Sequence, residues 1–308
     1  MVKFSFKNLK LELKRQLNPS SLKKQFLEII DGIDKRDILL MLILPVFVTL
    51  IYLLPSTIRE LLQLDIKNPI WWQYLTQSFV HNSWSHLSSN LFGYFLYSLL
   101  LITFVNKLKL KKEFYKLFLF LVISLPIVSS FIQVKSYPII LNWLPNLQHS
   151  AGTSGIVSAL AGFTIIFWAV YFNKINREIV FDVRTSLLFV VYIALLFVFY
   201  YSKGISGILI LVLVLFFVFL LTLISNIKKI IIEISKESKK GIIWTFFLIT
   251  TPIFFFMTPK IIFPSFELMF KNGTFTDFFM HYIGIVYGII VCGSYFIFIN
   301  KRWRDYNG

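Results

Sequence analysis

Long apolar runs recur along almost the whole chain. Eight segments have the length and composition of buried or membrane helices: Ile38–Leu54, Leu87–Val105, Phe114–Val134, Ser154–Phe172, Ser186–Tyr201, Ile205–Ser225, Ile242–Met257 and Phe279–Ile299. The fifth and seventh are short. Only Ser202-Lys203-Gly204 separates the fifth from the sixth, so a tight turn or one longer helix both fit. Ahead of the first run, Leu22, Phe26, Ile29, Ile30 and Ile33 recur at helical spacing within Ser20–Ile33, with Lys23, Lys24, Glu28 and Asp31 between them. This pattern predicts an amphipathic helix, either flat on the inner leaflet or docked on the protein's own loops. The expected fold class is all-α, a polytopic membrane helix bundle with about eight spans, because lipid offers the backbone no hydrogen bonds and helices satisfy their own.

Composition strengthens this picture. The chain has 308 residues, 57% hydrophobic and 15% charged, against about 25% charged in soluble domains. The net charge of +16 would suggest nucleic acid if the chain were soluble. Here the basic residues lie between apolar runs, so no nucleic-acid partner is expected. With the N-terminus in the cytoplasm and eight crossings, all but Arg59, Lys67, Lys135, Lys203, Lys260 and Lys271 of the 31 basic residues fall on the cytoplasmic side. The expected organisation is a basic cytoplasmic segment 1–36, a membrane domain 37–300 and a short cytoplasmic tail 301–308. Met1–Arg36 lacks the shape of a signal peptide. The single cysteine, Cys292, makes neither a disulfide nor a zinc site. There is no H-E-x-x-H, so no metal or other cofactor is expected.

Polar residues in lipid are costly, so they come under suspicion first. His81-x4-His86-x3-Asn90 stands at the entrance of the second segment. His86 and Asn90 are four apart and share a helix face. Both can donate, so the pair suits a developing oxyanion, or else hydrogen bonds between helices. Gly152-Thr153-Ser154-Gly155 opens the fourth segment. It puts Ser154 at a helix N-terminus, where free N–H groups and the dipole favour negative charge. A plain helix cap with small packing residues is the alternative. His281-x2-Gly284-x3-Gly288 lies in the eighth segment. Gly284 and Gly288 line one face for close packing, with His281 nearly on that face. Eight crossings put His86, Ser154 and His281 at one depth, whereas seven would put His281 on the opposite side.

Taken in order, these three motifs resemble the signature of the rhomboid intramembrane serine proteases. The resemblance implies a rhomboid-like core in which Ser154 and His281 form a Ser–His dyad. It implies an oxyanion hole of His86, Asn90 and the Ser154 backbone N–H, with His81, Gly152 and Gly155 in support. The implied partners are transmembrane protein substrates within the lipid bilayer. Asp277, four residues before His281, would be the third member of a triad or simply an acidic first-turn residue. The chain departs from the family in three places. A six-span core is common in rhomboids, and here two further spans are expected between the Ser154 and His281 helices. Rhomboids often have Trp-Arg after the first span, and here Gln73 follows Trp72. Many bacterial members have a tyrosine four residues after the nucleophile, and here Ser158 stands there, expected to bond its own i−4 carbonyl. The loop Pro55–Ser85 is expected to dip into the lipid edge through Trp71, Trp72, Tyr74 and Trp84. The rival readings are a proteolytically silent rhomboid-like protein that binds or escorts membrane helices, and a transporter. A transporter would place ionisable groups near the midplane of several spans.

Overall fold

The structure is a computed structural model that describes residues 18–141, 149–175, 221, 226, 229–236, 241, 243–246, 248–251 and 278–306. It holds helices α1 (Pro19–Asp31), α2 (Lys35–Tyr52), α3 (Ser56–Leu62), α4 (Gln73–Thr76), α5 (Trp84–Leu108), α6 (Lys111–Leu141), α7 (Ser154–Ile175) and α8 (Phe278–Tyr306). Two short strands, β1 (Leu64–Asp65) and β2 (His149–Ser150), pair antiparallel. Among the described residues, four helices are long and apolar enough to cross a membrane: α5, α7, and the Lys111–Ser136 and Met280–Ile297 parts of α6 and α8. The chain is therefore a mostly helical, integral membrane protein.

Segments two, three, four and eight coincide with these four helices. The first forms α2, whose 18 residues include Lys35, Arg36 and Asp37. The fifth lies outside the described residues, and the sixth and seventh are described only in part. Two boundaries differ from expectation. Helix α8 runs past Ile299 to Tyr306, so most of the expected tail is helical. The strand pair adds a small sheet to the expected all-α fold. Two residues per strand are too few for an alternating pattern to announce.

The contacts divide the chain into two units, Met1–Asp34 with Trp168–Phe256 and Lys35–Phe167 with Met257–Gly308. In the first unit Gln25 on α1 accepts a hydrogen bond from the Ile243 backbone N–H at 3.2 Å. This gives α1 a docking contact on its own chain. The indole N–H groups of Trp168 and Trp244 donate to the Leu248 carbonyl at 3.0 Å and the Tyr171 hydroxyl at 3.1 Å.

The second unit carries the sequence motifs. Lipid tails are as apolar as leucine, so its helices associate through packing and hydrogen bonds rather than through water exclusion. Phe167 on α7 meets Phe114 of α6 at 6.1 Å and Phe296 of α8 at 5.3 Å, both edge-on. Tyr94 donates to the Leu40 carbonyl at 2.7 Å, tying α5 to α2. Tyr287 donates to Ser124 at 2.8 Å, tying α8 to α6. Asp37 is fully buried and takes hydrogen bonds from Lys111 at 2.7 Å and Tyr115 at 2.6 Å. A carboxylate is tolerated there because the ammonium and the hydroxyl replace water.

Glycines bring α7 and α8 closest. A methyl group on Gly284 would collide with the Gly155 carbonyl, and one on Gly288 with the Ala159 carbonyl. A Cβ on Gly162 would fall 2.6 Å from the Ile285 carbonyl. The contacts climb together along both helices, so α7 and α8 run in the same direction. This is the sense that the eight-segment reading requires.

The loop from Pro55 to Val80 is held by Gln73. Its side-chain oxygen accepts from the Asp65 and Ile70 backbone N–H groups at 3.2 and 3.1 Å, and its amide donates to the Leu61 carbonyl at 3.4 Å. The residue that departs from Trp-Arg thus has a structural task. Trp71 is 81% exposed and Trp84 59%, while Trp72 and Tyr74 are half-buried. Of the four rings expected at the lipid edge, Trp71 and Trp84 are the exposed ones.

Gly288→Ala should force α7 and α8 apart and lower stability by roughly 1–3 kcal/mol, as overpacking does. The check is the thermal midpoint of the detergent-solubilised protein. An unchanged midpoint would contradict the close approach.

Candidate active site

Thr153 stands just before α7, and its carbonyl accepts the first helical hydrogen bond, from Val157 N–H at 3.0 Å. Ser154 is therefore the first helical residue, and its N–H belongs to the turn that has no intrahelical acceptor. A threonine at this position ordinarily caps the turn with its own side chain. Here the Thr153 hydroxyl instead lies 3.2 Å from His81 Nε2. The N–H groups of the first turn are left without a side-chain cap among the described residues.

His81 Nε2 is a meeting point. The Thr153 backbone N–H donates to it at 3.4 Å, and Asn90 Nδ2 lies 3.0 Å away. A backbone N–H can only donate, so Nε2 is the unprotonated ring nitrogen and the proton sits on Nδ1. That N–H faces the backbone of Phe79 without a bond of good geometry. Burial above all, and then the neighbouring His86, push the His81 pKa down to about 3, against a weaker upward pull from the Phe79 backbone. The ring stays neutral.

His86 lies in the first turn of α5, which Ser83 caps by accepting the His86 backbone N–H at 3.2 Å. Its ring stands edge-on to His81 at 5.1 Å. It presses on Gly152, where an added Cβ would lie 2.8 Å from His86 Cε1. Gly152 also has φ +133°, a conformation open to glycine. Its N–H donates to the Gln77 carbonyl at 3.0 Å. Glycine is thus required twice at this position.

His281 is in the first turn of α8, one turn before Gly284. The Met280 carbonyl lies 3.6 Å from where a Cβ on Gly155 would stand. Residues 154–155 and 280–281 therefore face each other at the same end of the parallel pair. His281 is also within electrostatic range of His86. The structure brings together His81, His86, Asn90, Gly152, Ser154, Gly155 and His281. Asp277 lies outside the described residues. No hydrogen bond joins Ser154 to His281 among the described residues.

Several details differ from the sequence reading. The Asn90 amide points one N–H at His81, which leaves its second for other work. Ser158 bonds neither His281 nor its own i−4 carbonyl, and its Cβ lies 3.0 Å from where one on Gly284 would be. His149 is exposed and paired through its backbone with Asp65 in the small sheet. Thr153 and Gln77 were missed. Thr153 carried only the signal of a helix cap, and Gln77 none. No group of His, Cys, Asp and Glu residues fit for a metal ion occurs among the described residues.

A parallel pair of membrane helices opening on a serine and a histidine, beside a second helix that starts with His-x3-Asn, defines a class of helical membrane protein. The rhomboid domain family matches residues 68–209, so this stretch is similar to a rhomboid domain. The matched stretch includes His81, His86, Asn90 and Ser154, and His281 lies beyond it. No curated protein and no solved structure matches the chain.

His81 yields a pH prediction. An unfolded histidine has a pKa near 6.5, and the native value is about 3. Between these pH values the unfolded state binds more protons, so stability falls as pH falls from about 6.5 towards 3. His81→Gln keeps an acceptor but does not titrate. Its thermal midpoint should drop less than that of the wild type between pH 7 and pH 4.5. Parallel curves would contradict a buried neutral His81.

Proposed function

We propose that this chain is an intramembrane serine endopeptidase that cleaves transmembrane helices of membrane-protein substrates near the outer face, with Ser154 as nucleophile and His281 as general base. The observation that carries the reading is the shared, glycine-packed opening of α7 and α8. It supports an alcohol and an imidazole meeting at one depth.

In this mechanism a substrate helix enters from the side and unwinds, and its bared peptide carbonyl meets Ser154. Entry of the peptide turns the hydroxyl onto His281, which takes the proton as Oγ bonds to the carbonyl carbon. The resulting oxyanion accepts from the Ser154 backbone N–H, the His86 side chain and the second N–H of Asn90. His281 then protonates the leaving amine, and the acyl–Ser154 ester forms. A water molecule, deprotonated by His281, releases the new carboxylate and restores the serine.

The second reading is a proteolytically silent rhomboid-like protein that binds or escorts membrane helices. The missing Ser154–His281 hydrogen bond favours it.

A fluorophosphonate probe separates the two. Wild type should label at Ser154, while Ser154→Ala and His281→Ala should not. Equal labelling of all three, or none, would favour the silent protein. With a transmembrane peptide substrate, Asn90→Ala should lower kcat on the order of 100-fold, the effect of one lost oxyanion donor. A rate within a few-fold of wild type would remove Asn90 from the hole. Asp277→Asn at a rate within a few-fold of wild type would likewise remove Asp277 from a triad.

A further inference from the structure

We infer that Arg59 is a positioning residue for this site, acting through the backbone of His81. The inference rests on the proposed Ser154 chemistry, but Arg59 lies outside both the three motifs and the matched rhomboid stretch.

His81 belongs to no helix or strand. It sits in the link between the 3₁₀ turn Gln77–Phe79 and the start of α5. Its backbone therefore needs holding from elsewhere. Helix α3 and the residue that caps its C-terminus supply the hold through two side chains. Arg59 Nη1 donates to the His81 carbonyl at 2.7 Å, and Gln63 Nε2 donates to the Asn82 side-chain oxygen at 2.7 Å. The guanidinium also lies over the Tyr52 ring, 5.1 Å from its centroid, and Tyr52 in turn meets Trp84 at 6.0 Å. Arg59 thus joins the end of α2, the start of α5 and the link between them.

Two features separate this from an incidental surface contact. The bond is charge-assisted and short, the strong kind. The Arg59 Nε is buried with no partner among the described residues, which costs stability. The same guanidinium spends its Nη1 on the His81 carbonyl. That bond holds the residue whose ring receives Asn90 and Thr153. A shift of the His81 carbonyl would move Nε2, and with it the Asn90 amide and the entrance of α7. Displacement of catalytic groups by about 1 Å costs up to about 100-fold in rate.

The test compares wild type, Arg59→Gln, Arg59→Lys and His81→Gln, and the double variant. Turnover of a transmembrane peptide is measured in detergent, with thermal midpoints as the control for folding. Arg59→Gln should lower kcat about 10-fold with little change in KM. Arg59→Lys, which can still donate to the carbonyl, should recover most of the loss. In the His81→Gln background, Arg59→Gln should add nothing, because both changes break one linkage. A readout independent of turnover is the ¹⁵N spectrum of the histidine rings. Wild-type His81 should show the neutral Nδ1–H tautomer, and Arg59→Gln a mixture of tautomers. Multiplying rate effects in the double variant, or unaltered His81 ring signals in Arg59→Gln, would overturn the inference. If the wild type shows no Ser154-dependent turnover, the proposed function fails, and the ring signals still decide whether Arg59 holds His81.

Discussion

Everything at the site depends on two helices touching backbone to backbone. Gly284 rests on the Gly155 carbonyl and Gly288 on the Ala159 carbonyl. In lipid there is no hydrophobic force to press helices together, so contact area and dispersion decide the approach. Side chains as small as alanine would hold α7 and α8 apart at these points. The parallel sense then matters as much as the distance, because it puts the first turn of each helix at the same end. A serine in one first turn and a histidine in the other thus open the pair at the same end.

The second constraint is a division of labour between helix caps. Ser83 caps α5 in the ordinary way. Thr153, which could do the same for α7, turns to His81 instead. The opening of α7 is thereby tied to the link that precedes α5, and its first N–H groups stay uncommitted. One ring lone pair on His81, shared by Asn90 and Thr153, couples two membrane helices that are far apart in sequence.

Much of this was legible in the sequence. Helices α5 to α8 stand where apolar runs of spanning length occur, and three motifs with fixed spacing gave His86, Asn90, Ser154 and His281. Spacing of three or four residues is a local property that a helix converts directly into a shared face. The parts that were not legible are those made by distant partners. Asp37 and Lys111 stand far apart in sequence, and only packing shows the carboxylate to be buried. Gln73 looked like a departure, yet its amide holds three backbone groups of the loop. Arg59 had no local pattern at all, since its acceptor is a backbone carbonyl 22 residues away. Ser158 misled because a serine inside a helix commonly bonds back one turn, whereas here it lies against a glycine face.

The length of α8 has a consequence for where water can reach. By sequence its apolar stretch runs from Phe278 to Ile299, about 33 Å of helix. The hydrocarbon layer is about 30 Å thick. Such a stretch is long enough to cross the layer from one edge to the other. Residue 281 stands in the first turn of α8, so a crossing helix would carry its imidazole near the rim of the oily slab rather than in its middle. Water from the adjoining aqueous phase would then have only about the thickness of a helical turn to cross.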